Sequence, residues 1–218
     1  MDKLRFRYSK TGSAKYISHL DLLATMQRAI LRAGICLKYS EGFNPHPYLS
    51  VALPLQVGCA SECELMDVRL ADGEPTEGIT KRLNASMPEG LTICEVYTPI
   101  RKFDEIKWIG IRGRLHYDDV TPANAAMRFT ERFAVDSIVV TKRTKRGESD
   151  IDISLYFRDL HITDGSEVTM DVKISAQNPS LSPFDVINAL SGEFGELKPD
   201  FAFFTRVELY DSDMLVFK

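Results

Sequence analysis

The chain has 218 residues, 44% of them hydrophobic and 27% charged, with a formal net charge of −4. That length accommodates one large domain or two small ones, and the composition is that of a globular protein rather than a disordered or fibrous one. A polycation is excluded, yet eight Lys and Arg residues (Lys3, Arg5, Arg7, Lys10, Lys15, Arg28, Arg32, Lys38) stand in the first forty positions against only Asp2 and Asp21, which points to a local anion-binding face on an otherwise acidic protein.

Leu4-Arg5-Phe6-Arg7-Tyr8 alternates apolar and basic residues as a half-buried strand does. Thr11-Gly12-Ser13 is a turn or bulge. Ser18 and Asp21 form a capping box that opens a helix, with aspartate in the glutamate place, and Gly34 closes it. Leu20, Leu23, Met26, Ile30 and Ala33 make one apolar stripe on this helix, while Asp21, Thr25, Arg28 and Arg32 fall on the opposite side. Ile35–Tyr39 and Leu49–Leu53 read as strands, with Glu41-Gly42-Phe43-Asn44-Pro45-His46-Pro47-Tyr48 between them. An extra strand over Cys63–Leu70, a turn at Asp72-Gly73, a short helix over Thr76–Ser86 and a strand over Leu91–Tyr97 complete a β-α-β-β-α-β order.

Thr98-Pro99-Ile100-Arg101-Lys102 reads as the exit from this unit. The second half repeats the order without repeating the sequence. Trp108–His116 is a strand, Thr121-Pro122 starts a helix to Phe133, and Ser137–Thr141 and Ser149–Phe157 are strands joined by a basic turn. Thr169–Ala176 is a strand, Ser182-Pro183 opens a helix through Leu190, and Phe201–Tyr210 is the last strand. The predicted fold is α+β: two packed ferredoxin-like (split βαβ) units with antiparallel sheets, over residues 1–100 and 101–218. No signal peptide is expected from Met1-Asp2-Lys3-Leu4-Arg5, and no apolar run approaches the ~18 residues of a membrane span. Four scattered cysteines do not make a disulfide scaffold. The expected location is therefore cytoplasmic.

Two prolines, a glycine and an asparagine around His46 stiffen its loop, so that the loop presents an imidazole in a fixed shape. His46 and His19 are candidate general acid–base residues, because imidazole titrates near neutrality. The phase of His19 on its helix favours a structural role for it. Arg28, Arg32 and Lys38, with Phe43, Asn44 and Tyr48, are candidate RNA- or anion-binding residues. Guanidinium groups grip phosphate bidentately, and exposed rings stack on bases. Lys142, Arg143, Lys145 and Arg146 cluster at a hairpin tip that suits a phosphate-contacting finger. A metal site is not expected. Cys59 and Cys63 have the spacing that begins a radical SAM cluster motif, but Met66 stands where its third cysteine belongs. A site from His19, His46 and Glu64 or Asp67 is the remaining option. No phosphate-binding glycine loop or serine nucleophile elbow is present, and no cofactor is expected.

Tyr16-Ile17-Ser18-His19-Leu20-Asp21-Leu22, Arg28-Ala29, Tyr39 through Pro47, and Leu53-Pro54-Leu55-Gln56-Val57-Gly58 resemble the bacterial radical SAM-associated domain of unknown function. Lys142–Asp152, Pro183-Phe184-Asp185-Val186 and Thr205-Arg206 are similar to its second half, so the resemblance covers nearly the whole chain. Its members stand beside or behind a radical SAM protein, and their genes neighbour those of a G/E-type ribonuclease and ribosomal proteins. The resemblance thus implies a radical SAM partner and an RNA-related setting, and no reaction. Two functions follow as expectations. One is an RNA-binding or substrate-presenting subunit for a radical SAM partner. The other is a ferredoxin-like, metal-independent RNA-processing endonuclease using His46, with Arg28 or Lys38 stabilising the phosphorane. A purely protein-interacting domain is the third possibility.

Overall fold

Leu4, Phe6, Tyr8 and Lys10 point to one side of the first strand and are all buried there. The computed structural model in which this is seen describes residues 3–144, 147–190 and 197–218, the side chains of Arg143 and Thr144 excepted. The chain forms two compact units, one reaching Glu105 and including Lys218, the other Ile106–Phe217. It is a mixed α+β protein with mostly antiparallel strand pairing and, among the described residues, four helices.

In the first unit, β1 (Lys3–Lys10) lies between β4 (Leu91–Tyr97) and β3 (Ala60–Arg69), and β2 (Leu49–Val51) pairs with β3. The order is β4-β1-β3-β2, with every pair antiparallel; Phe6 stands opposite Met66 on one side and Val96 on the other. Helix α1 (His19–Arg32) begins where the sequence signals it, because Ser18 Oγ accepts the Asp21 N–H at 3.1 Å and donates to the Asp21 carboxylate at 2.7 Å. Leu22, Met26 and Ile30 of α1, with Ile79 and Leu83 of α2 (Ile79–Asn84), form one core with Leu4, Phe6, Tyr8, Met66 and Ile93 of the strands. Burial of each such side chain is worth roughly 1.5–3 kcal/mol.

Leu20 corrects the predicted stripe, because it is 75% exposed and Leu22 is buried instead. Two successive steps of three residues rotate about 120° away from Met26, so Leu20 leaves the core-facing arc that Leu22 enters. The strand predicted over 35–39 is reduced to isolated bridges of Leu37 with Leu70 and Tyr39 with Pro47. The Lys38 N–H bonds to the Arg69 carbonyl while its own carbonyl accepts from Tyr48. Its polar groups are thus divided between two neighbours and no continuous ladder forms. The strand thought to be extra, β3, is an interior one, paired with β1 and β2.

In the second unit the order is β10 (Phe201–Tyr210), β5 (Trp108–His116), β9 (Val168–Ser175), β8 (Phe157–Thr163), again antiparallel. Helix α3 (Pro122–Phe133) is capped by Thr121, and α4 (Pro183–Asn188) by a reciprocal capping box between Ser182 and Asp185. A separate hairpin joins β6 (Val139–Thr144) to β7 (Gly147–Asp152). The single strand predicted over 149–157 is therefore two, since β7 ends at Asp152 and β8 begins at Phe157 to pair with β9. No helix among the described residues is long and apolar enough to cross a membrane.

Candidate functional site

The loop around His46 is closed at its neck by Ser40. The Ser40 N–H donates to the His46 carbonyl at 2.9 Å, and Ser40 Oγ accepts the His46 N–H at 3.1 Å and lies 2.9 Å from His46 Nδ1. Nδ1 also lies 3.5 Å from the Asn44 carbonyl oxygen, so both residues hold the ring on that side. At its base the Tyr48 N–H bonds to the Lys38 carbonyl and the Arg69 N–H to the Tyr48 carbonyl, each at 3.1 Å, which fastens the loop to the end of β3. Gly42 takes a φ of +124°, a conformation that a Cβ would strain.

This neck holds out a tip whose apex is Phe43, 106% exposed. A phenylalanine left wholly in water forgoes the roughly 1.5–3 kcal/mol that burying it would yield. Beside it, the rings of His46 and Tyr48 lie 6.4 Å apart, and the Arg69 guanidinium sits 5.1 Å from the Tyr48 ring. Asn44 is exposed, and Lys38 is half-buried with Nζ 4.0 Å from the exposed Asp72 carboxylate. Five of the predicted residues, Lys38, Phe43, Asn44, His46 and Tyr48, thus belong to one surface feature. Arg69 joins them unforeseen. The sequence did not mark it, because Arg69 meets Tyr48 only across the pairing of β2 with β3.

The rest of the predicted cluster is not part of that feature. His19 is the first residue of α1, half-buried, and its Nδ1 is buried without a hydrogen-bond partner among the described residues. Nothing bonds it to His46. Arg28 is exposed on the outer side of α1, and Arg32 donates to the Ser86 carbonyl at 2.8 Å. The basic N-terminal segment is less available than its charge count suggests. Arg5 is fully buried, bound to Asp67 through Nε at 2.7 Å and through its terminal nitrogen at 3.0 Å, with the Phe103 ring 4.3 Å away. Lys10 is buried, donates to the Ile17 carbonyl at 3.1 Å, and has its pKa lowered by desolvation against the opposing attraction of Glu64.

Lys142 is not a free finger. Its ammonium donates to the Ser180 carbonyl at 2.5 Å and to Asp185 at 3.0 Å, which ties β6 to the cap of α4. Lys145 and Arg146 lie outside the described residues, as does the side chain of Arg143. Of the residues once considered for a metal, Asp67 is engaged by Arg5 and Lys3, Cys59 and Cys63 are buried, and no group of three or more ligating side chains exists among the described residues. A cavity of about 330 Å³ lies beside α2, lined by Leu4, Thr76, Ile79, Thr80 and Tyr97 among others. Burial raises the pKa of the Tyr97 phenol there.

The chain belongs to a family described as an uncharacterised protein conserved in bacteria (DUF2344), whose model matches residues 3–183. No curated protein matches it. Among solved structures, the crystal structure of an unknown protein from Galdieria sulphuraria is similar over 96% of this chain and 98% of that one, at 10% identity and a TM-score of 0.28.

Proposed function

We propose that this protein is an RNA-binding accessory subunit that presents its substrate to a radical SAM partner, and that the loop from Ser40 to Tyr48 is its contact with RNA. The observation that carries the reading is Phe43, a wholly exposed ring on a loop that is pinned rather than slack. An exposed ring held by a rigid neck offers a stacking surface without the entropy cost of ordering a loose loop. Arg69 and Lys38 supply positive charge behind it, suited to a phosphate oxygen. The partner is inferred from the motif blocks that resemble the radical SAM-associated domain, and from Met66 standing where a cluster cysteine would be needed.

The same reading takes both units as ferredoxin-like, divided near residue 100. The strand orders β4-β1-β3-β2 and β10-β5-β9-β8, each with a helix after its first and third strand, support it. The β6–β7 hairpin would be an insertion in the second.

A fluorescence-anisotropy titration with single-stranded RNA tests the loop. Phe43→Ala is expected to weaken binding by about 5- to 100-fold, the worth of one stacked base, and Phe43→Trp to retain it. Unchanged affinity in a folded Phe43→Ala protein would contradict the proposal. Endonuclease action by His46 is the second reading, favoured by the hydrogen bond that fixes its ring. RNA fragments produced by the wild type and absent with His46→Ala would overturn the non-catalytic account.

A further inference from the structure

The sheet of the second unit has two unlike faces. Ile109, Ile111 and Leu115 of β5 and Val168, Met170 and Val172 of β9 are buried on the face against which α3 packs. The alternate residues point the other way, and Arg112, Arg114, His116 and Asp171 are exposed there. So are two rings of β10, Phe201 at 58% and Phe203 at 42%.

Register sets rings beside cations across this open face. His116 stands opposite Phe201, their ring centroids 6.3 Å apart, and Arg114 stands opposite Phe203, its guanidinium 5.8 Å from the ring. Arg112 occupies the next outward place on β5, opposite Thr205. Farther along, past a bulge in β10, Trp108 lies opposite Tyr210. The Arg158 guanidinium sits 4.8 Å from the Trp108 ring and the Lys173 ammonium 5.0 Å from the Tyr210 ring. A sheet face that alternates rings and guanidinium groups has the two chemistries a nucleic-acid strand requires, a flat π surface for bases and bidentate donors for phosphates.

The carboxylates on this face sharpen the account. Asp171 holds Arg112 at 3.2 Å as a solvent-exposed pair, half-buried Glu167 holds the exposed Arg114 at 3.6 Å, Asp159 holds Lys173 at 2.6 Å, and Asp118 lies 3.2 Å from His116 Nε2. Such pairs are weak, and a phosphate can take over the guanidinium. The spacing selects the form of the strand. Outward residues two apart on β10 are about 7 Å apart, roughly twice the rise per nucleotide of a duplex strand, so Phe201 and Phe203 suit bases that are splayed and unpaired.

We propose that this open face is a second RNA-contacting site, which takes a short unpaired stretch with bases on Phe203 and Phe201 and phosphates on Arg114 and Arg112. The inference rests on the RNA-binding reading but not on the His46 loop. It is tested with the full chain and a labelled ten-nucleotide single-stranded RNA, beside the same RNA in duplex form. The variants are Phe201→Ala/Phe203→Ala, Phe203→Leu, Asp171→Asn and, as a control on the other site, Phe43→Ala.

The double variant is expected to bind the single strand at least tenfold more weakly, with Phe203→Leu losing part of that although it keeps the apolar bulk. Asp171→Asn is expected to tighten binding several-fold, because it releases Arg112. The single strand is expected to bind more tightly than the duplex. Wild-type affinity in the double variant, or weaker binding with Asp171→Asn, overturns the face while leaving the loop standing if Phe43→Ala alone is defective. Absence of RNA binding in the wild type overturns both, and the face would then be a surface for a protein.

Discussion

Phe43 and Lys10 are each at the wrong end of the exposure scale for their type. Phe43 is a large apolar ring kept in water, and Lys10 is an ammonium that is 1% exposed. Desolvation lowers the Lys10 pKa, and the charge of Glu64 opposes that shift. The folded protein therefore releases this proton more readily than the unfolded chain, so the contribution of Lys10 to stability improves as pH rises from its folded pKa toward 10.5. Lys10→Met removes the attraction between Lys10 and Glu64, and a loss of stability is expected by urea denaturation, with Lys10→Met/Glu64→Leu recovering part of it. A double variant as unstable as the single would contradict the coupling. Neither Lys10 nor Arg5 was legible as buried. A charge count registers a basic residue on a half-buried strand but not the Asp67 carboxylate, distant in sequence, that allows Arg5 to be enclosed.

Elements that carry their own local signals were legible. Ser18, Thr121 and Ser182 cap α1, α3 and α4 where the Ser18–Asp21 spacing and the Thr-Pro and Ser-Pro pairs predict helix starts, and β10 spans the predicted residues. Elements set by distant partners were not. The 35–39 segment has strand-like residues but shares its hydrogen bonds between Arg69 and Tyr48, and β8 is defined by β9 rather than by its own pattern. α2 starts at Ile79, after Gly78 in a left-handed conformation, and not at Thr76. The turn from β7 toward β8 is secured by Asp152, which accepts from Ser137 Oγ at 2.7 Å and from the N–H groups of Ile138 and Ser154, each at 3.0 Å. These bonds, led by that of Ser137, hold its carboxyl well below the usual carboxylate range. Their stabilisation is complete above the unfolded pKa of about 3.9 and is lost as pH falls through the lower folded value. The melting temperature of the wild type is expected to fall more steeply below about pH 4 than that of Asp152→Asn; parallel curves would contradict this role.

At the scale of the molecule, the α+β class and the chain order of most elements follow from periodicity and turn residues, while the proposed surface of the second unit follows from register. His46 and its neighbours were visible in sequence because one loop contains them. The aromatic and cationic rows of the second unit were invisible, because Arg114 and Phe203 meet only across β5 and β10. A net charge of −4 means that the proposed RNA binding is local and not a property of the whole surface. It then involves only a few phosphates. The most direct test is the dependence of single-stranded RNA affinity on salt, measured by anisotropy from low to physiological ionic strength, alone and with a radical SAM protein as partner. The account predicts binding that weakens with salt at a log–log slope of roughly −1.5 to −3, the value for about two to four phosphates, and that strengthens with the partner. No binding at low salt, or an affinity indifferent to salt, would contradict it.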